Sequence, residues 1–283
     1  MKRFLLYFFA ISVCTLVLPR LPRAFSEEEP EDMIHVLQSA DGTVYELSVE
    51  DYVLGVMQSA GFDYGDETMK AIAVALRSSV KYCETFHPVH QNAAVCDDPD
   101  CCAAFCTDVF SEKAIRAVAE TAGKILLYEG SPAACPTCED AGTRTESCEA
   151  LYGVPLPYLV SVAELYPGAP EVITAAGSSV LALFGDPGAQ GEPTFACDRS
   201  GRVREIWLGE QTIDGQAFAS AIGLPSLLFT AESDGETFTF TCYGVGDGVG
   251  LSRKGAAAME DNGFSWREIL AFYFRGTEIA SFL

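Results

Sequence analysis

Positive charge is scarce in this chain. Lys and Arg together number 18 against 40 Asp and Glu, a formal net charge of -22 over 283 residues. That shortage excludes nucleic acid as a partner, because neutralising phosphates needs Lys and Arg. The surplus carboxylates make a solvated surface that repels other polyanions. Also missing are any internal repeat and any Pro/Ser-rich linker after residue 32. One continuous domain is therefore the economical reading. Disorder is excluded too: 49% of the residues are apolar, enough to fill a sizeable core at this length.

One long apolar run is present. MKRFLLYFFAISVCTLVLP sets Lys2 and Arg3 ahead of an apolar stretch from Phe4 to Pro19. A buried helix of a soluble protein would show a polar face, and this run has none. It is longer than most signal-peptide cores and shorter than a comfortable ~20-residue span. The basic start orients its far end outside the cytoplasm. Ala24–Ser26 is a weak match to a small-x-small cleavage site. Residues 1–27 therefore read as an export signal retained as a single-pass membrane anchor, followed by an acidic linker at 26–32. Residues 28–283 read as the extracytoplasmic domain. Cys14 lies in the anchor and ten further cysteines lie outside it, where disulfides are permitted.

The pattern beyond the linker mixes helices and strands without a βαβ rhythm, so an α+β fold is expected. MIHVLQSADGTVYELS alternates apolar and polar residues around Asp41-Gly42, a hairpin signal. DETMKAIAVALRSSVKYC sets Met69, Ile72, Ala73, Leu76, Val80 and Cys83 on one helical stripe, and Asp66 can cap it. A second helix starts at Ser111 and stops at Gly123. KILLYEG follows as a strand. Strands are expected at 158–162, 203–209, 227–232 and 237–243, with a short helix at 215–223. Two helices close the chain, at 254–263 and 265–276; Ser265 and Glu268 can form a capping box in the second.

Several stretches then read together. VEDYVLGVMQSAG is followed by ETMKAIAVALRSSVKY, then by a His-x5-Cys segment running into DDPDCC. SGRV stands at 200–203 and GLPSLLF at 223–229. The last is YGVGDGVGLSRKGAAAMEDNGFSWREILAFYFRGTEI. Their order and content resemble the stage II sporulation protein D (SpoIID/LytB) family over nearly the whole extracytoplasmic part. The resemblance implies a single mixed α/β domain of SpoIID/LytB type behind an N-terminal membrane segment. It also implies a lytic transglycosylase of sporulation, acting on peptide-free peptidoglycan. Such an enzyme cuts between N-acetylmuramic acid and N-acetylglucosamine and leaves a 1,6-anhydromuramic end. That chemistry needs one carboxyl of raised pKa, which protonates the leaving oxygen and then takes a proton from the sugar's own hydroxyl. No water attacks, so the second carboxylate of ordinary glycosidases is dispensable.

The chain departs from the family at the acid. The family's glutamate closes a GVV.[AS]E stretch, and the matching position here is Ala60, or Ser59 counted back from Arg77. Asp63 and Asp247 are the candidate stand-ins, while Asp66 and Glu67 are explained by the helix start. The family's histidine in GHGVGMS is Asp247 here, and its arginine before LGL is Ala219. Arg77 matches the family's AART arginine, either as a sugar-binding residue or as a helix ion pair. Arg77, Asp247 and Ser252 are the candidate substrate-binding residues. Asp247, set among glycines, also suits a tight turn.

In the family the His-x5-Cys segment continues as x4-His-Cys, and some members bind zinc through it. His90, Cys96 and Cys102 match, and Cys101 stands in for the histidine, a swap that keeps a zinc ligand. A four-ligand Zn²⁺ site would be structural. Disulfides among Cys96, Cys101, Cys102 and Cys106 are the alternative. The Cys135–Cys138 pair reads as a disulfide, since no thioredoxin-like pattern surrounds it. Two functions stay open: an active transglycosylase, or an inactive relative that binds glycan strands or scaffolds an envelope or sporulation complex.

Overall fold

The computed structural model describes residues 32–86, 90–99, 101–106, 111–185 and 191–282. The expected membrane anchor, and the 27/28 boundary, lie outside the described residues. No helix among the described residues is long and apolar enough to cross a membrane. Residues from Met33 onward form one compact unit of mixed α+β structure.

Two strands open it, Met33–Leu37 and Val44–Ser48, paired antiparallel. The turn falls at the expected place: Gly42 has φ 78, and Asp41 Oδ1 accepts from the Thr43 amide at 2.9 Å. Val95–Cys96 adds a short parallel third strand. Helix α1, Val49–Ser59, starts at Ser48, whose hydroxyl accepts from the Asp51 amide. The sequence reading left this helix unassigned.

Helix α2, Asp66–Phe86, is the axle of the domain. Its expected stripe is real, but Ala71, Val74 and Ala75 on the other sides are buried as well. A helix apolar all round belongs inside. Its start is not capped by Asp66. Glu260 reaches across, and its two carboxylate oxygens accept from the amides of Glu67 and Thr68, both at 3.0 Å. Asp66 instead pairs with Arg116 at 2.5 Å. Helix α3, Glu112–Glu120, is capped by Ser111 as expected, and Lys124–Tyr128 follows as a strand between Glu278–Ser281 and Ser131–Pro132.

After α4, Cys148–Tyr152, Tyr158, Leu159 and Val162 still pack in this core, and the chain then leaves it. Residues 158–162 are not a strand: Leu159 and Val162 are buried, and only Ala163 bridges to Arg144. Short apolar runs are ambiguous in this way. Two unexpected strands follow, Glu171–Ala176 and Thr194–Cys197, either side of α5, Gly177–Ala182. They join two three-stranded antiparallel sheets. One holds Thr194–Cys197, Val203–Leu208 and Gln211–Asp214; the other holds Phe229–Ser233, Thr237–Cys242 and Glu171–Ala176. With α6, Gly215–Ile222, they enclose a second core in which Phe218 and Phe229 stack, ring centres 6.1 Å apart, and Phe240 meets both edge-on. In Thr237–Cys242 the alternate residues Phe238, Phe240 and Cys242 point inward. The chain then returns to the first core through α7, Arg253–Asp261, and α8, Trp266–Tyr273. The Ser265–Glu268 capping box is present.

Candidate functional site

The loop after α2 folds back onto α1. Tyr52 donates to the Cys96 carbonyl at 3.2 Å, and its ring stacks on Phe105 with centres 5.7 Å apart. Gly55 permits this approach, since a Cβ there would lie 2.1 Å from the Phe105 ring. Ser39 holds Asp97 through its amide and its hydroxyl, at 2.7 and 2.6 Å. The amides of Cys101 and Cys102 both donate to the Asp98 carbonyl, a tight turn that presents successive thiols to one side.

This turn gathers His90, Cys96, Cys101 and Cys102, with one donor atom of each within 4.8 Å of the others. His90 Nε2 is 3.7 Å from Cys101 Sγ and 3.6 Å from Cys102 Sγ, and those two sulfurs are 3.9 Å apart. Zn–S bonds of about 2.3 Å at tetrahedral angles put sulfurs about 3.8 Å apart. A disulfide needs about 2.05 Å. The spacing therefore fits a tetrahedral cation. These four residues would hold it with no open position, so it would supply folding energy and no Lewis-acid chemistry.

A second constellation lies where the two cores meet. The Glu146 carboxyl is closed from solvent, at 1% exposure. Its Oε1 accepts from the Ser147 amide at 2.6 Å, and its Oε2 accepts from Arg204 Nη2 at 2.7 Å. Asp198 Oδ2 accepts from Arg204 Nε at 2.6 Å, and its Oδ1 accepts from the amides of Ser200 and Arg202. Arg204 is thus clamped between two carboxyls, one from each core.

Ser200 Oγ lies 2.7 Å from Glu146 Oε2 and 2.7 Å from Asp198 Oδ1, and it accepts from Arg202 Nη1 at 3.1 Å. A hydroxyl has one proton to donate, so the other short contact needs a proton on a carboxyl. Burial, then the neighbouring Asp198 carboxyl, raises Glu146 above the usual carboxylate range. Burial works against the Asp198 carboxylate, but hydrogen bonds from Glu146, Ser200, Arg202 and Arg204 outweigh it and hold it down to about 2. Of the two carboxyls, Glu146 is the one whose affinity for that proton is raised.

Arg202, 1% exposed, bolts the seam by donating from Nη2 to the carbonyls of Ala141 and Arg144, both at 3.1 Å. Gly248, at φ 78, leaves the room: a Cβ there would lie 1.9 Å from Arg202 Nη2. Beside Arg204 the seam opens into a recess of about 140 Å³, lined by Leu151, Ala219, Leu224, Leu227 and Asp247 among others.

The other expected residues are placed as follows. Arg77 is fully buried and donates to both Glu50 oxygens, at 2.9 and 3.1 Å from Nε, and to the Lys124 carbonyl at 3.0 Å. It ties α1 to α2 and has no face open to a sugar. Ser252, also fully buried, caps α7 by accepting from the Gly255 amide at 3.1 Å. Asp247 both makes the turn, accepting from the Val249 amide at 3.0 Å, and lines the recess. Ala60 is exposed at the end of α1. Asp63 points outward, 81% exposed, to Lys113 at 2.6 Å. Cys135 and Cys138 are separate buried thiols and not a disulfide: Cys135 donates to the Ala133 carbonyl, while Cys138 ends the strand Thr137–Cys138 beside Leu251–Ser252.

Sequence reading missed Glu146, Asp198, Arg204 and Glu164. One signal was available for the first three: in a chain with few cations, Arg199, Arg202 and Arg204 crowd six residues. Nothing flagged Glu164. Its Oε2 accepts from the Tyr273 hydroxyl at 2.8 Å, its Oε1 is buried without a partner, and burial pushes it up to about 7.

Comparison with known proteins places this architecture. The SpoIID family, described as stage II sporulation protein, matches residues 38–128. Stage II sporulation protein D of Bacillus subtilis (strain 168) is 26% identical over 269 residues, covering 87% of this chain and 78% of that protein. The chain is similar to the SpoIID family, from which it diverges widely. Stage II sporulation protein D of Bacillus amyloliquefaciens is also 26% identical, over 277 residues, with the same coverage. An uncharacterized protein of Brachyspira hyodysenteriae is 27% identical over 266 residues, covering 84% of this chain and 68% of that protein. The SpoIID match runs from the first hairpin through α3 and takes in the His-Cys cluster, Ala60 and Arg77; the seam lies beyond it.

Proposed function

We propose that this SpoIID chain is a glycan-binding relative of the lytic transglycosylases that binds peptide-free peptidoglycan strands and does not cleave them. The end of α1 carries this reading. An exposed alanine, Ala60, stands where the family's acid would project. A general acid must come within hydrogen-bond reach of the leaving oxygen. Asp63 turns away to Lys113. Glu146 and Glu164 have the raised affinity for a proton that an acid needs, but both are shut from solvent, at 1% and 9% exposure. Asp247 is engaged in its turn.

Residues 1–27 would anchor the chain in the membrane with the domain outside, where envelope or sporulation proteins could join it. Zn²⁺ on His90, Cys96, Cys101 and Cys102 would staple the loop to α1. The test uses the full chain in detergent, incubated with peptide-free glycan strands. The expected result is strands retained on the protein with no anhydromuramic product by mass spectrometry. Anhydromuramic ends from the wild-type chain, absent from an Asp247→Asn preparation, would show that Asp247 has taken over the acid's role and sink the proposal.

A further inference from the structure

We infer that the recess beside Arg204 is a subsite for the acetamido group of an N-acetylated amino sugar. This rests on the glycan-binding reading above and names what the site selects. The Arg204 guanidinium is clamped through Nε and Nη2 by Asp198 and Glu146, and Nη1 makes no hydrogen bond among the described residues. The side chain is 28% exposed and lines the recess. A guanidinium fixed along two edges presents its third as a rigid donor, pre-organised at little entropic cost.

Charge then decides what can enter. Arg204 is already held by two carboxyls, Asp198 and Glu146, so its charge is spent. Asp247 adds an uncompensated carboxylate on the wall. A phosphate, a sulfate or a lactyl carboxylate would enter a site already negative, in a chain of net charge -22, and is disfavoured. The rest of the lining is mostly aliphatic, from Leu151, Ala219, Leu224 and Leu227; of its polar side chains, Ser226 is spent on the Tyr243 carbonyl and the Leu228 amide, and Gln216 reaches Ser220. The volume, about 140 Å³, is about that of five waters.

A fixed donor, an acceptor and a small apolar floor suit a neutral group with a carbonyl, an N–H and a methyl. An acetamido group has these three: its carbonyl accepts from Arg204, its N–H donates to Asp247, and its methyl rests on Ala219. The position that the family fills with arginine is this alanine, so the methyl has room.

The test is titration of the full chain in detergent, at about 0.15 M salt to screen the protein's charge. The ligands are the N-acetylglucosamine trimer, its fully deacetylated trimer, a glucose trimer and peptide-free glycan strands. The acetylated trimer is expected to bind about tenfold more tightly than the other two trimers, because a site built to pair an amide is left unpaired without it. Ala219→Val, which narrows the floor, and Asp247→Ser, which removes the acceptor but keeps a turn former, should each weaken the acetylated trimer about threefold or more at unchanged glucose-trimer affinity. If Ala219→Val does not fold, Asp247→Ser decides alone. Equal affinity for acetylated and deacetylated or glucose trimers, with glycan strands still retained, overturns the acetamido subsite and leaves the glycan-binding proposal standing. No binding of any glycan overturns both.

Discussion

The two cores of this chain are built on different principles. The first is a helix wrapped by others: α2 carries Ala71, Ala73, Val74 and Ala75, all fully buried, and small side chains let neighbours approach closely. The second is two antiparallel sheets around phenylalanines, in which Phe218, Phe229 and Phe240 form a ring cluster. The first core presents the His-Cys cluster and the end of α1. The second presents Asp198, Ser200, Arg202 and Arg204. Neither makes the Arg204 clamp alone, since Glu146 comes from one side and Asp198 from the other. A ligand site at the junction of two packed units follows a common rule, and here the junction is also where the polar groups are buried.

The strongest way to separate the cores is to hollow out one. Phe240→Ala should cost about 3–5 kcal/mol in calorimetric unfolding, while zinc binding by the His-Cys cluster, if the proposed site is filled, stays at the wild-type level by mass spectrometry. Loss of that binding together with the second core would mean that the two are not distinct in this sense. The converse variant, Cys102→Ser, should abolish zinc binding at the proposed site and leave the amides of Thr237–Cys242 as protected from hydrogen exchange as in the wild type.

Glu164 gives the first core a pH signature of its own. Its carboxyl is raised from 4.5 to about 7, so the folded chain binds that proton more tightly than the unfolded one. The stability it contributes is full below about pH 4.5 and is lost as pH rises through about 7, worth up to about 3 kcal/mol. Glu164→Gln keeps a partner for Tyr273 and should flatten this slope between pH 5 and 8, making the variant the more stable one at pH 8. An unchanged slope would show that the carboxyl is reached by water.

The smallest expected change in stability accompanies the largest expected change in chemistry. Ala60→Glu alters an exposed position and should move stability by no more than about 0.5 kcal/mol. It should also raise release of anhydromuramic ends above the wild-type level, if a bound strand still passes the end of α1. Silence from this variant would mean that more than the acid has been lost.

Much of the first core was legible in the sequence because its signals are local. Caps at Ser111 and Ser265, the Asp41-Gly42 turn and the stripe on α2 are each set within a few residues. His90, Cys96, Cys101 and Cys102 could be named because they fall within thirteen positions. The second core was read in part. The alternation in Thr237–Cys242 is plain, but Glu171–Ala176 is an outer strand with much of its surface exposed, so its composition carries little sign of pairing. The Asp66 cap failed for another reason: Glu260, far away in sequence, claimed the start of α2.

By itself, then, the sequence determined the acidic surface, the likeness to the SpoIID family, most helix ends and the set of metal-type donors, because each depends on residue type and short spacing. Tertiary structure alone decided that Arg77 and Ser252 face inward, that Cys135 and Cys138 stay apart, that Glu146 and Asp198 meet on Ser200 and Arg204, and that Arg204 stands at the mouth of a recess. Those outcomes depend on which groups lose water together, and burial is a property of the packed chain.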